Sequence, residues 1–134
     1  MQVQPYLFFE GTCAEALEFY RHALGAEVTM LMRFKDSPDP AMVPPGAADK
    51  VMHAEVRLGE STFLASDGRC QGGAAFQGFA MSLTVADAAE ADRLFAALAE
   101  GGQVHMPLAA TFFSARFGMV ADRFGVSWMV YVAK

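Results

Sequence analysis

Apolar residues along this chain recur at two spacings, every second position and every third or fourth, and segments of the two kinds follow one another in a fixed order. Val3 to Phe9 is rich in strand formers, with Pro5 marking an edge or the start of regular pairing. Thr12 stands three residues before Glu15, the signature of a capping box. The helix it opens carries Cys13, Ala16, Leu17, Tyr20 and Leu24 on one stripe, opposed by Glu15, Glu18, Arg21 and His22, and Gly25 is placed to end it. Glu27 to Phe34 reads as a strand. Lys35 to Lys50, broken by Pro38, Pro40, Pro44, Pro45 and Gly46, reads as a loop. It exceeds the ~12 to 15 residues usual for structureless connections, which makes it a candidate mobile cover as well as a candidate passive insertion. Val51 to Leu58 and Ser61 to Ser66 form a hairpin about Gly59-Glu60, and the Gly-rich stretch from Asp67 to Gly78 is a linker.

Past the linker the order begins again. Phe79 to Val85 is a strand, and Asp87 with Glu90 makes a second capping box before a helix that turns Ala91, Leu94, Phe95 and Leu98 inward. Gly101-Gly102 ends it, Gln103 to Phe113 follows, and a terminal hairpin pairs Phe117 to Ala121 with Val126 to Val132 about Asp122-Arg123-Phe124-Gly125. The last strand is apolar on both faces, with Val126, Trp128, Val130 and Val132 on one side and Met129 and Tyr131 on the other, so it belongs inside a sheet. Sliding the chain along itself lays Thr12 on Asp87, Glu15 on Glu90, Ala16 on Ala91, and Phe19-Tyr20 on Leu94-Phe95. Two caps, two helix stripes and two Gly stops in one order make duplication the better reading. The chain is read as one domain, 1-134, with a first module to about 67, a linker over about 68-78 and a second module over 79-134.

Composition narrows the partners. The 134 residues are 54% hydrophobic with mean hydropathy +0.24, enough for a core. A formal net charge of -5 with no clustered positive segment excludes a nucleic-acid surface. No stretch reaches the ~18 apolar residues of a membrane span and no basic, then apolar, leader opens the chain, so a cytoplasmic protein is expected. Cys13 and Cys70 lack metal-motif spacing and are expected to stay thiols.

Three blocks, Pro5 to Glu27, Val51 to Asp67 and Phe117 to Val132, together resemble the PhnB-like branch of the vicinal oxygen chelate superfamily, which includes glyoxalase I, bleomycin-resistance proteins and extradiol dioxygenases. The resemblance covers nearly the whole chain. It implies an α+β fold of two tandem βαβββ modules whose curved mixed sheets enclose a pocket, commonly in a homodimer. Members often carry the label of a demethylubiquinone methyltransferase, yet no glycine-rich nucleotide-binding turn here follows a strand and opens a helix. The superfamily's enzymes hold a divalent metal with His and Glu side chains. Carried over, those positions fall at Gln4 or Pro5, near Leu64 or Ala65, at Ala80 to Ser82, and at Met129, where the usual glutamate is replaced. A thioether is a poor partner for a hard cation and the remaining positions offer at most Gln4 and Ser82, so no metal and no other cofactor is expected.

Candidate chemistry lies mainly in Val51 to Leu58, where alternation puts His53, Glu55 and Arg57 on one face. In the functional reading His53 is a general base or an anion-binding donor, Glu55 orients it, and Arg57 holds a carboxylate or phosphate. The plainer reading is a solvated sheet face. Tyr6, Phe8, Phe113, Met129 and Tyr131 are candidate ligand-lining residues. Cys13 lies near a helix N-terminus but on the apolar stripe, His22 lies on the outer helix face, and His105, Arg116 and Arg123 default to surface roles. The function expected is binding of a small molecule by a metal-free protein. The alternative is a lyase, isomerase or transferase using His53 and Glu55, with or without a metal.

Overall fold

The computed structural model describes residues 1–134 as two compact units, Met1–Ala74 and Ala75–Lys134. Each runs strand, helix, three strands. In the first, β1 (Tyr6–Phe8), α1 (Cys13–Leu24), β2 (Glu27–Arg33), β3 (Val51–Leu58) and β4 (Ser61–Ser66) give a mixed sheet of order β1-β4-β3-β2. β1 runs parallel to β4, and the other pairs are antiparallel. The α1 stripe of Cys13, Ala16, Leu17 and Tyr20 is buried, as are Leu7, Ala54, Val56, Phe63 and Ala65 of the sheet. Tyr20 meets Phe63 edge-on, with ring centroids 6.2 Å apart. Gly25 ends α1 at φ 71, a conformation that costs a residue without Cβ little, and its N–H donates to the Arg21 carbonyl.

The second unit repeats the plan with β5 (Met81–Val85), α2 (Ala88–Ala99), β6 (Gln103–Ala109), β7 (Ser114–Ala121) and β8 (Ser127–Ala133), in sheet order β5-β8-β7-β6. β8 is an interior strand, as its two-sided apolar pattern requires. Trp128, Val130 and Val132 are buried on one face, as are Ala91, Leu94, Phe95 and Leu98 of α2. A Cβ on Gly118 of β7 would stand 2.8 Å from the Phe95 ring and 3.0 Å from the Leu108 Cα, so glycine there permits the close approach of helix and sheet. The fold class is thus α+β, two βαβββ modules with mixed sheets. No helix is long and apolar enough to cross a membrane.

Three local expectations are corrected. The first strand is shorter than Val3 to Phe9, because Pro5 has no N–H for the ladder and contributes only its carbonyl, to Leu64. Phe34 leaves the strand for a one-turn 3-10 helix and is buried, and the long loop is tied at its base by bonds from the Phe34 and Lys35 N–H groups to the carbonyls of Lys50 and Ala48. Thr12 does not cap α1: its hydroxyl bonds weakly to the Phe9 carbonyl at 3.4 Å. The acceptor is Asp67, expected in the linker. Its Oδ1 accepts the N–H of Gly11 and of Cys13, and its Oδ2 the N–H of Val51, each at 2.8 Å. In the second unit the local cap does form, with Asp87 Oδ1 accepting the Glu90 N–H at 2.8 Å.

Candidate ligand-binding face

Residues paired across neighbouring strands share a face, so the register defines what the first sheet presents opposite α1. One row reads Tyr6, Leu64, Glu55, Met30 from β1 through β4 and β3 to β2. A flanking row holds Phe8 paired with Ser66, and His53 paired with Met32. Thr62, Arg57 and Glu27 form the row on the other side. Three of the sequence candidates come together here. Tyr6 and Phe8 stack with centroids 4.7 Å apart and planes 17° from parallel, and the Tyr6 hydroxyl is hydrogen-bonded to His53 Nδ1 at 2.7 Å.

That bond decides what His53 offers. With the phenol donating, the neutral ring carries its hydrogen on Nε2, and with Nδ1–H donating, Nε2 presents a lone pair. No side chain or backbone group of the chain bonds Nε2. Burial raises the Tyr6 phenol above its ordinary range, opposed by the Ser66 hydroxyl, so Tyr6 keeps its proton at neutral pH. Tyr6, not Glu55, orients the His53 ring. The Tyr6 side chain reaches the ring from across β4, and no hydrogen bond joins His53 to Glu55.

Glu55 is half-buried between Leu64 and Met30, and its carboxylate has no hydrogen-bonding or ionic partner. Arg57 is paired with the Glu27 carboxylate and exposed. In the second unit Tyr131 and Phe113 stack with centroids 6.4 Å apart, the Tyr131 hydroxyl donates to the Phe113 carbonyl at 3.4 Å, and Phe113 meets Phe117 edge-on at 5.3 Å. Met129 pairs with Ser82 on one side and Met119 on the other, which makes this face apolar and thioether-rich. Of the positions that would carry the superfamily's metal, Leu64 and Met129 supply no hard donor. No three His, Cys, Asp or Glu side chains converge in a way that would hold an ion.

The remaining candidates take structural or solvated places. His22 and Arg21 both pair with Glu18 on the exposed helix face, Arg116 lies 3.7 Å from Asp92, and Arg123 lies 3.8 Å from Glu100. His105 is exposed on β6. Cys13 is fully buried, and that burial, with the Asp67 carboxylate beside it, pushes its thiol far above the usual range. The thiolate is the nucleophile, so Cys13 is expected to resist iodoacetamide at pH 8 in the folded protein and to react once urea unfolds it. Mass-spectrometric counting of labelled thiols checks this. Rapid labelling of Cys13 in the native state would contradict the packing described.

The positioning of Tyr6, His53 and Asp67 uses the same chain segments that resemble known proteins. The family model described as 3-demethylubiquinone-9 3-methyltransferase matches residues 1–131. Protein YjdN of Escherichia coli (strain K12) is 35% identical over 142 aligned residues, covering 100% of this chain and 97% of that protein. The crystal structure of protein PA1353 from Pseudomonas aeruginosa is 45% identical with a TM-score of 0.88, covering 99% of this chain and 98% of that one. A putative 3-demethylubiquinone-9 3-methyltransferase, PhnB protein, from Bacillus cereus is 29% identical with a TM-score of 0.82, covering 99% and 100%. With its duplicated βαβββ plan and these full-length matches, the chain belongs to the PhnB-like family, that of the 3-demethylubiquinone-9 3-methyltransferase model.

Proposed function

We propose that this chain is a small-molecule-binding protein of the glyoxalase/bleomycin-resistance type, holding an organic guest on the open face of its first sheet without a metal ion. The observation that carries the reading is the Tyr6–Phe8 stack with His53 fixed beside it by the 2.7 Å bond. Two parallel rings present a ready apolar platform, and one oriented polar atom next to it gives a guest its direction. With the Tyr6 hydroxyl donating to Nδ1, Nε2–H is left as a donor toward the guest. Support for the metal-free form comes from the donor chemistry at Leu64 and Met129. Methyl transfer fits less well, since α1 is entered through Phe9-Glu10-Gly11-Thr12 and α2 through Ala86-Asp87, neither a glycine-rich cradle.

The same bond in its other tautomer favours a second reading, in which the Nε2 lone pair serves as general base of a lyase or isomerase. Long-range proton–nitrogen correlation spectra of the His53 ring separate the two. Hydrogen on Nε2 is the expected result, and hydrogen on Nδ1 supports the enzyme. The binding claim itself is tested by adding indole, quinoline and 2-naphthol to nitrogen-labelled protein. Amide shifts are expected to concentrate at Tyr6, Phe8 and His53 and to weaken about ten-fold in Tyr6→Ala. Shifts confined to other regions, or none at millimolar probe, would overturn the assignment.

A further inference from the structure

Resting on that reading, we infer that the guest is a planar aromatic cation, its rings over Tyr6 and Phe8 and its positive group held at Glu55. Glu55 is the one charged side chain of the central row, half-buried among Leu64 and the thioether of Met30, and nothing in the chain neutralises it. The cations near this sheet are engaged elsewhere: Arg57 with Glu27, Lys35 with Asp49, and Arg33 with the Asp49 carbonyl. An unpaired carboxylate on this face favours a cationic guest and repels an anionic one. The thioether sulfurs of Met30 and Met32 beside it are electron-rich and agree in sign.

Three fluorescent probes of one shape and different charge test this: proflavine, a tricyclic cation, acridone, its neutral relative, and acridone-4-carboxylate. Titrated at moderate salt, proflavine is expected to bind about ten-fold more tightly than acridone, with the carboxylate weaker than both. Glu55→Gln is expected to remove the advantage of proflavine while leaving acridone unchanged. Glu60→Gln makes the same change of charge on the exposed β3–β4 turn and is expected to alter none of the three. Circular dichroism confirms that both variants fold. The inference is overturned if the carboxylate binds as tightly as proflavine, if Glu55→Gln leaves the order unchanged, or if Glu60→Gln acts equally. Should no probe bind, the cationic guest is overturned, while the broader organic-guest reading stands or falls on the amide-shift mapping at Tyr6, Phe8 and His53.

Discussion

Replacing Asp67 by alanine is expected to destabilise the protein by about 3–5 kcal/mol, because three backbone N–H groups lose a charged acceptor and two of them, on Cys13 and Val51, are buried. Against a total of ~5–15 kcal/mol for a domain, that is a large fraction. Asp67→Asn is expected to cost less, about 1–3 kcal/mol, since its remaining oxygen can serve Gly11 and Cys13 while its amide confronts the Val51 N–H with another donor. Thr12→Ala, at the residue the capping signature singles out, is expected to change stability by less than ~0.5 kcal/mol. Urea denaturation with an unchanged slope measures all three. Equal losses for Thr12→Ala and Asp67→Ala would contradict the hydrogen bonding described.

The second large effect is expected at Asp122, where the terminal hairpin turns. Its Oδ1 accepts the N–H of Phe124 at 2.9 Å and of Val126 at 3.1 Å, and its Oδ2 accepts the Trp128 indole N–H at 2.8 Å. Asp122→Ala is expected to cost about 2–4 kcal/mol, and Asp122→Asn about half of that, because an amide can keep the turn but meets the indole donor to donor. Trp128 is the only tryptophan, so its emission reports the site directly and is expected to shift in both variants. Since the turn fixes the register of β8, it also fixes Met129 and Tyr131 on the face of that strand opposite Trp128 and Val130. An unshifted spectrum and unchanged stability in Asp122→Ala would contradict this.

The fold was legible in the sequence because its signals are periodic and local: the α2 stripe, the α1 stripe with Ala23 buried in place of Leu24, the two-sided last strand and the Gly25 stop survive into the structure, while α2 ends on Glu100, one residue before Gly101. What escaped was long-range. The Thr12 to Glu15 pattern is a local competitor for the helix N-terminus, and a buried carboxylate that also ties down Val51 outcompeted it. Nothing near Asp67 in sequence announces that role, apart from an acidic residue closing an apolar strand. The face bearing His53, Glu55 and Arg57 followed from alternation, whereas the Tyr6–His53 bond depends on β1 lying beside β4, which periodicity alone does not specify. Met30 and Met32 joined that face only through a register shift in β2 between Val28 and Met30.

The most direct test of the account is native mass spectrometry combined with elemental analysis of protein prepared without a metal-affinity tag and dialysed into metal-free buffer. Well under one equivalent of zinc, nickel, manganese or iron is expected, together with binding of an added aromatic guest that is weakened by His53→Ala and Tyr6→Ala. One equivalent of a divalent metal that survives dialysis and is lost in His53→Ala would contradict it.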